Sequence, residues 1–244
     1  MRNNNSVINV YKTKNTKSEI VTQLLYGDTF KKLKKNGVWL KIKNDKDNYI
    51  GYIKDKNFSP NQKNTHKVCS VYAALYSKPH VRYKINNKLS FESKIKVLKK
   101  KGDFYKFDNL WIKKNNLEKI STTKKNPFHN IEKFINVKYK WGGKHYSGID
   151  CSGLIQLCLN YNNQFCPRDT KDQIRHFRNK VDLKDLRKND LIFWKNHVAV
   201  AISRYNLIHA FGPVKKIVIS SINKTIDRIY KTANLKVIGI RRIT

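Results

Sequence analysis

The chain has 244 residues, 39% of them hydrophobic and 11% aromatic, with only 10 Gly and 5 Pro. This globular composition can bury one large core or two to three small ones, and it excludes a disordered or fibrous chain. Fifty-two Lys and Arg against 17 Asp and Glu give a formal charge of +35, a field that attracts polyanions without specifying one.

The basic residues run along the whole chain beside abundant Asn and Ile. Codon bias and a functional affinity for nucleic acid, anionic wall polymer or acidic lipid surface are two readings of that composition. No stretch reaches the ~18 apolar residues of a membrane span. The start, MRNNNSVINVYK, lacks the apolar core of a secretory leader, which predicts a cytoplasmic location; the alternative is a periplasmic or extracellular protein whose leader precedes this numbering. Cys69, Cys151, Cys158 and Cys166 have neither zinc-site spacing nor the density of a disulfide scaffold, so no metal is expected.

The first predicted elements are short alternating runs that repeat. LLYGDTFKKLKKNGVWLKI (24–42) aligns with LSFESKIKVLKKKGDFYKF (89–107) at an offset of 65. Leu24 falls on Leu89, Tyr26 on Phe91, Phe30 on Ile95, Leu33 on Leu98, Gly37 on Gly102, Trp39 on Phe104 and Ile42 on Phe107. The repeat resumes as GYIKDKNF (51–58) against LWIKKNNL (110–117) at an offset of 59, so the second copy is six residues shorter. Period-two alternation between Gly, Asn and Asp turns predicts two small antiparallel barrels, 1–58 and 65–120, joined by SPNQKN. The first copy, with its Gly-Asp turn, basic strand, G-x-W-x-K-I and Y-x-G-Y-I, resembles bacterial SH3-like (SH3b) domains. The second, without the Trp and the final Gly, resembles them loosely. The resemblance implies ligand-binding modules, or spacers that position a third domain.

Pro127 and the polar cluster before it mark the start of that domain, 127–244. In order, the patterns predict a short helix (131–135), the loop YKWGGKHYSGID, a helix from Asp150 to about Asn162 and a polar helical stretch (167–180). Strands follow at 190–194, 197–203, 206–211, 216–222 and 236–243. Helices followed by an antiparallel sheet is an α+β order. In the main helix Leu154, Ile155, Cys158 and Leu159 recur at helical steps, and Asp150 is a good N-cap. Cys151 then lies where free amides and the helix dipole favour a thiolate. His197 opens one strand and His209 lies near the end of the next, toward the same end of a predicted hairpin. One imidazole can face Cys151 while the other holds its far nitrogen, which is what nucleophilic cysteine chemistry needs. Gly142 and Gly143 suit a loop that lets substrate backbone approach, and Trp141 is expected to pack in the core.

Taken together, YKWGG, GIDCSGL, PRDT, DLIFW, HVAVAIS and LIHAF resemble the NlpC/P60 family of cell-wall peptidases over about residues 128–244. The resemblance implies a papain-like domain with Cys151 as nucleophile, His197 as general base and His209 orienting that base. It places Tyr139 beside the nucleophile for oxyanion stabilisation, and Asp150 and Ser152 against the substrate peptide. The family's usual Gly before DLIFW is Asn189 here, which also tolerates a left-handed backbone.

The implied reaction is hydrolysis, with no cofactor, of the γ-D-glutamyl–diamino acid bond (meso-diaminopimelate or L-Lys) in peptidoglycan stem peptides. An SH3b barrel narrowing the cleft would favour short peptides with a free N-terminal L-Ala. Three alternatives stand beside it: an exported hydrolase of intact wall, another amidase or acyltransferase on this scaffold, and a polyanion- or nucleic-acid-binding protein with an incidental cysteine. The last has no recognised nucleic-acid motif in its favour, and no specific nucleic-acid partner is expected.

Overall fold

The structure, a computed structural model, describes residues 1–243; Thr244, the end of the expected third domain, lies outside the described residues. The chain divides into two compact units. One comprises Met1–Thr123 with Gly142–Tyr146, the other Lys124–Trp141 with Ser147–Thr244.

The first unit is almost wholly β. Strands β1 (Val7–Tyr11), β2 (Ile20–Leu25), β3 (Phe30–Asn36), β4 (Trp39–Asn44) and β5 (Ile50–Lys54) form an antiparallel sheet in the order β2-β1-β5-β4-β3. Alternation is strict in β4, where Leu40 and Ile42 turn inward and Trp39, Lys41 and Lys43 outward. Leu40 and Ile42 join Ile8, Val10, Leu24, Phe30, Ile53 and Phe58 in one small core. The β3–β4 turn has Gly37 at φ +56°, a conformation that glycine adopts without steric cost.

The second copy contributes β6 (His66–Val68), β7 (Tyr72–Tyr76), β8 (Lys84–Ser90), β9 (Lys94–Ile95), β10 (Lys99–Lys101), β11 (Phe104–Phe107), β12 (Leu110–Lys113) and β13 (Leu117–Lys119). They form one sheet in the order β10-β11-β12-β7-β8 and another in the order β13-β6-β9. Tyr26 of the first copy enters the core of the second, edge-on to Phe107 with centroids 5.5 Å apart. Its hydroxyl donates to Asp108, whose carboxylate also accepts from Arg2 at 3.3 Å. The copies therefore share a buried seam.

A last strand of this unit, β14 (Lys144–His145), packs along β2, where Gln23 Oε1 accepts from the backbone N–H of Lys144 at 2.7 Å and of His145 at 3.0 Å. Gly142 approaches Ile20 so closely, at φ +72°, that a Cβ would lie 2.0 Å from the Ile20 carbonyl oxygen. This glycine is required by packing against β2, where substrate access was the expectation.

In the second unit come β15 (Gly148–Ile149), α1 (Cys151–Tyr161), α2 (Thr170–His176), β16 (Asn179–Val181), β17 (Leu191–Trp194), β18 (His197–Ala201), β19 (Asn206–Phe211), β20 (Lys216–Ser221), α3 (Ile222–Ala233) and β21 (Gly239–Arg242). The sheet is antiparallel in the order β16-β21-β17-β18-β19-β20. All of α1 is buried against β18 and β19, whereas α3 buries only Ile222, Thr225 and Ile229.

Several sequence expectations change. The helix at 131–135 is a 3-10 turn over Ile131–Phe134, the polar helix contracts to α2, and the last strand contracts to β21. Strand β16 and helix α3 were not anticipated. Trp141 is 54% exposed rather than a core residue. Asn189 has φ +75°, the left-handed turn expected of it. Among the described residues no helix is long and apolar enough to cross a membrane.

Candidate active site

Cys151 is the first residue of α1. Asp150 caps the helix: its Oδ1 accepts from Gly153 N at 2.7 Å, satisfying one of the first-turn amides. Arg168, 3% exposed, holds that carboxylate at both oxygens, 3.0 Å from Nη1 to Oδ1 and 2.6 Å from Nη2 to Oδ2. The same Nη1 donates to Ser152 Oγ at 2.9 Å. Asp150 and Ser152, expected at the substrate, are thus buried and engaged by Arg168. The sequence reading missed this arginine; its signal was the Pro-Arg-Asp-Thr run, since an arginine this deeply buried must find a carboxylate.

The histidines come from the β17–β18–β19 meander. Trp194 pairs with His197 across a two-residue turn in which Asn196 has φ +61°. The register Val200↔Ile208 and Ala201↔Leu207 then places His197 and His209 on one face of the sheet. Their rings meet, with His197 Nε2 2.9 Å from His209 Nδ1. Phe211 stacks on His209, centroids 4.5 Å apart at 12°, and the Arg228 guanidinium of α3 lies 5.1 Å from the Phe211 centroid.

The thiol contacts the same meander. Cys151 Sγ lies 3.9 Å from the Asn196 carbonyl oxygen, to which it donates. Burial, and then the Asp150 charge, push the thiol up to about 12; the backbone N–H groups of Val198 and Ser152 and the Arg168 charge pull the other way. The helix-start argument for a low pKa therefore identifies real contributions but not the winner, which is desolvation. Burial likewise pushes His197 down to about 4, and burial with the charges of His197 and Arg228 pushes His209 down to about 3. In all three groups burial is the first cause of the shift and favours the uncharged form. Tyr139 is half-buried, and its phenol is raised by burial, then by the Cys151 and Asp150 charges. It lies within electrostatic reach of Cys151. Cys158 and Cys166 are buried elsewhere, and Cys69 is partly exposed.

A thiol at a capped helix start, in contact with the turn before His197, and a hydrogen-bonded histidine pair on the antiparallel sheet are an arrangement suited to nucleophilic cysteine chemistry. Residues 136–234 match the NlpC/P60 family, and residues 6–59 match the bacterial SH3 domain. The chain carries an NlpC/P60 domain behind a bacterial SH3 domain.

Among curated proteins it is 35% identical over 82 residues to the "Probable endopeptidase NlpC homolog" of Haemophilus influenzae, covering 32% of this chain and 43% of that one. It is 32% identical to the murein DD-endopeptidase MepS/murein LD-carboxypeptidase of Escherichia coli, covering 36% of this chain and 49% of that one. The match thus spans less than half the length of each relative. A crystal structure of an NlpC/P60 family protein from Bacillus cereus aligns over 99% of this chain and 98% of that one, with TM-score 0.83 and 20% identity. That likeness extends the shared fold to the whole chain, including the second β copy.

Proposed function

We propose that this protein is a cysteine peptidase that cuts peptidoglycan stem peptides at the γ-D-glutamyl–diamino acid bond. The observation that carries the reading is the Cys151–His197–His209 arrangement: a capped helix start whose thiol contacts the turn before His197, and a hydrogen-bonded imidazole pair. His197 takes the thiol proton through Nδ1 as sulfur attacks the scissile carbonyl. Burial penalises thiolate and imidazolium separately, but their mutual attraction offsets that penalty when they form together, so the pair titrates as a unit. The backbone N–H of Ser152 at the helix start and the Tyr139 hydroxyl are the candidate donors to the oxyanion. His197 then protonates the leaving amine, and water resolves the acyl-enzyme.

Preference for short peptides with a free N-terminal L-Ala belongs to this reading and accords with turnover of released stem peptides in the cytoplasm. Action on intact, exported wall is the second form of it, favoured by the lysine-rich exposed strands β3 and β10. Mass spectrometry of products from L-Ala-γ-D-Glu-meso-diaminopimelate and from intact sacculi tests both. Cleavage of the tripeptide between D-Glu and the diamino acid supports the bond assignment; release of muropeptides from sacculi selects the second form. No cleavage of either overturns the function.

A further inference from the structure

His209 Nδ1 and His197 Nε2 share one hydrogen across 2.9 Å, so one ring donates it and the other accepts. The other nitrogen of His209, Nε2, is buried and has no hydrogen-bond partner among the described residues. For His197 to take a proton from the thiol, it must donate at Nε2 while His209 accepts at Nδ1. His209 then carries its own hydrogen on the unpartnered Nε2. Once His197 is an imidazolium, its Nε2 proton has a second place to go. Passing it to His209 would leave His197 a neutral ring and a poor acid for the leaving amine.

Two side chains oppose that transfer. Phe211, two residues on in β19 and therefore on the same face, stacks on His209 with centroids 4.5 Å apart and planes at 12°. It also reaches His197, at 5.8 Å between centroids. Phe211 is anchored in turn, 8% exposed in a core that includes Ile222 and Ile229 of α3. From the exposed side of α3, Arg228 places its guanidinium 5.1 Å from the Phe211 centroid. A fixed cation disfavours a second one on His209, and His197 and Arg228 are the charges that reach this ring. An orphaned N–H also costs more on a charged ring than on a neutral one.

The other neighbours supply no compensating anion. Strand β20 sets Val218 opposite His209 and Lys216 opposite Phe211, and the Lys216 ammonium donates to Asn136. Lys224, Asp227 and Lys231 of α3 are exposed, and α1 brings Cys151, Cys158 and Tyr161. We propose that Phe211 and Arg228 are positioning residues: Phe211 fixes the His209 ring, and Arg228 keeps that ring an uncharged acceptor, so the thiol proton stays on His197. In this step the S–H bond breaks and a ring N–H bond of His197 forms. The same proton later passes to the leaving amine, and His209 keeps its single hydrogen throughout. This role rests on the peptidase reading.

The test uses the full chain labelled with nitrogen-15 at histidine, each ring being assigned by the signals lost in His197→Asn and His209→Asn. At pH 5 the protonation that begins in the parent should appear on His197, with His209 keeping one bare nitrogen. Arg228→Met should raise the protonated fraction of the pair about threefold, equivalent to about half a pH unit, and bring His209 into the titration. Arg228→Lys should restore the parent values. The effect of Arg228→Met should largely disappear in 1 M salt, where the Debye length is about 3 Å. With L-Ala-γ-D-Glu-meso-diaminopimelate as substrate, Arg228→Met should move the acid limb of kcat/KM up by about the same half unit. Phe211→Leu should lower kcat about tenfold with KM kept. Protonation of His209 ahead of His197 in the parent, no change in Arg228→Met, or an equal change in Lys231→Met would overturn the role of Arg228. A lower melting temperature in Phe211→Leu with unchanged kcat would overturn that of Phe211. If the parent cleaves no stem peptide, the peptidase reading fails separately, because the imidazole signals report where the pair holds its proton without hydrolysis.

Discussion

Cys151 lies where helix amides and Arg168 favour its charge while burial and Asp150 oppose it, and opposition prevails, with the thiol pushed up to about 12. Two outcomes follow at this residue. Cys151→Ala should abolish peptide hydrolysis while leaving the far-ultraviolet spectrum and melting temperature nearly unchanged, since a buried thiol is replaced by a slightly smaller apolar group. An alkylating reagent at neutral pH should reach the partly exposed Cys69 before the 5%-exposed Cys151, as peptide mapping of the adduct will show. The opposite labelling order would mean that Cys151 is held as thiolate at rest. The histidines carry the pH dependence. Both are pushed below the ordinary 6.5, to about 4 and about 3, so between 6.5 and about 4 the unfolded chain binds more protons than the folded one. Their contribution to stability is therefore complete above pH 6.5 and is lost as pH falls toward 4. Replacing both by Asn should flatten urea-denaturation stability across that window; an unchanged slope would assign the acid sensitivity to other groups. The sequence displayed the three residues and their order along the chain. It could not display the desolvation, which depends on how completely α1 is covered.

Helix α1 illustrates how a residue outside an element fixes that element's functional end. Arg168 binds both oxygens of the carboxylate that caps α1, with the two side chains 1% and 8% exposed. Removing one partner of such a buried pair leaves the other charge uncompensated, at a cost of about 3–5 kcal/mol. Arg168→Leu should accordingly lower stability by that order, whereas Asp150→Asn, which keeps an N-cap acceptor, should cost less than Asp150→Ala. Chemical denaturation of the three variants checks the ranking, and equal small losses would show that the pair is not coupled to the helix start. Elements differed in how readable they were. α1 announced itself by its cap and apolar period, and Asn189 by its tolerance of the left-handed turn. α3 also carries a helical stripe, Ile222, Thr225, Ile226 and Ile229, but between many polar residues and directly after a strand that ends at Ser221. The apolar run continuing from that strand through Ile222 masked the change of period.

Across the whole molecule the internal repeat was legible because each copy buries its own alternating faces, and the change to helices after Pro127 marked the second unit's composition. What alternation along the chain does not record is that the chain returns to the first unit at Gly142–Tyr146 after entering the second at Lys124. That return depends on particular contacts: the Gln23 side chain accepting from two buried amides, and the approach of Gly142 to the Ile20 carbonyl. A chain shortened to begin at Lys125 keeps every residue of the Cys151–His197–His209 arrangement but loses β2, so the 142–146 segment loses its packing partners. Leaving a buried amide without an acceptor costs about 1–3 kcal/mol, and two are affected. The shortened chain should be cut by a non-specific protease within 142–146 at enzyme levels that spare the full chain there. Gln23→Ala in the full chain should give an intermediate rate, since it removes the acceptor but keeps the strand. Equal protection of the segment in all three proteins would show that 142–146 holds its conformation without the barrel.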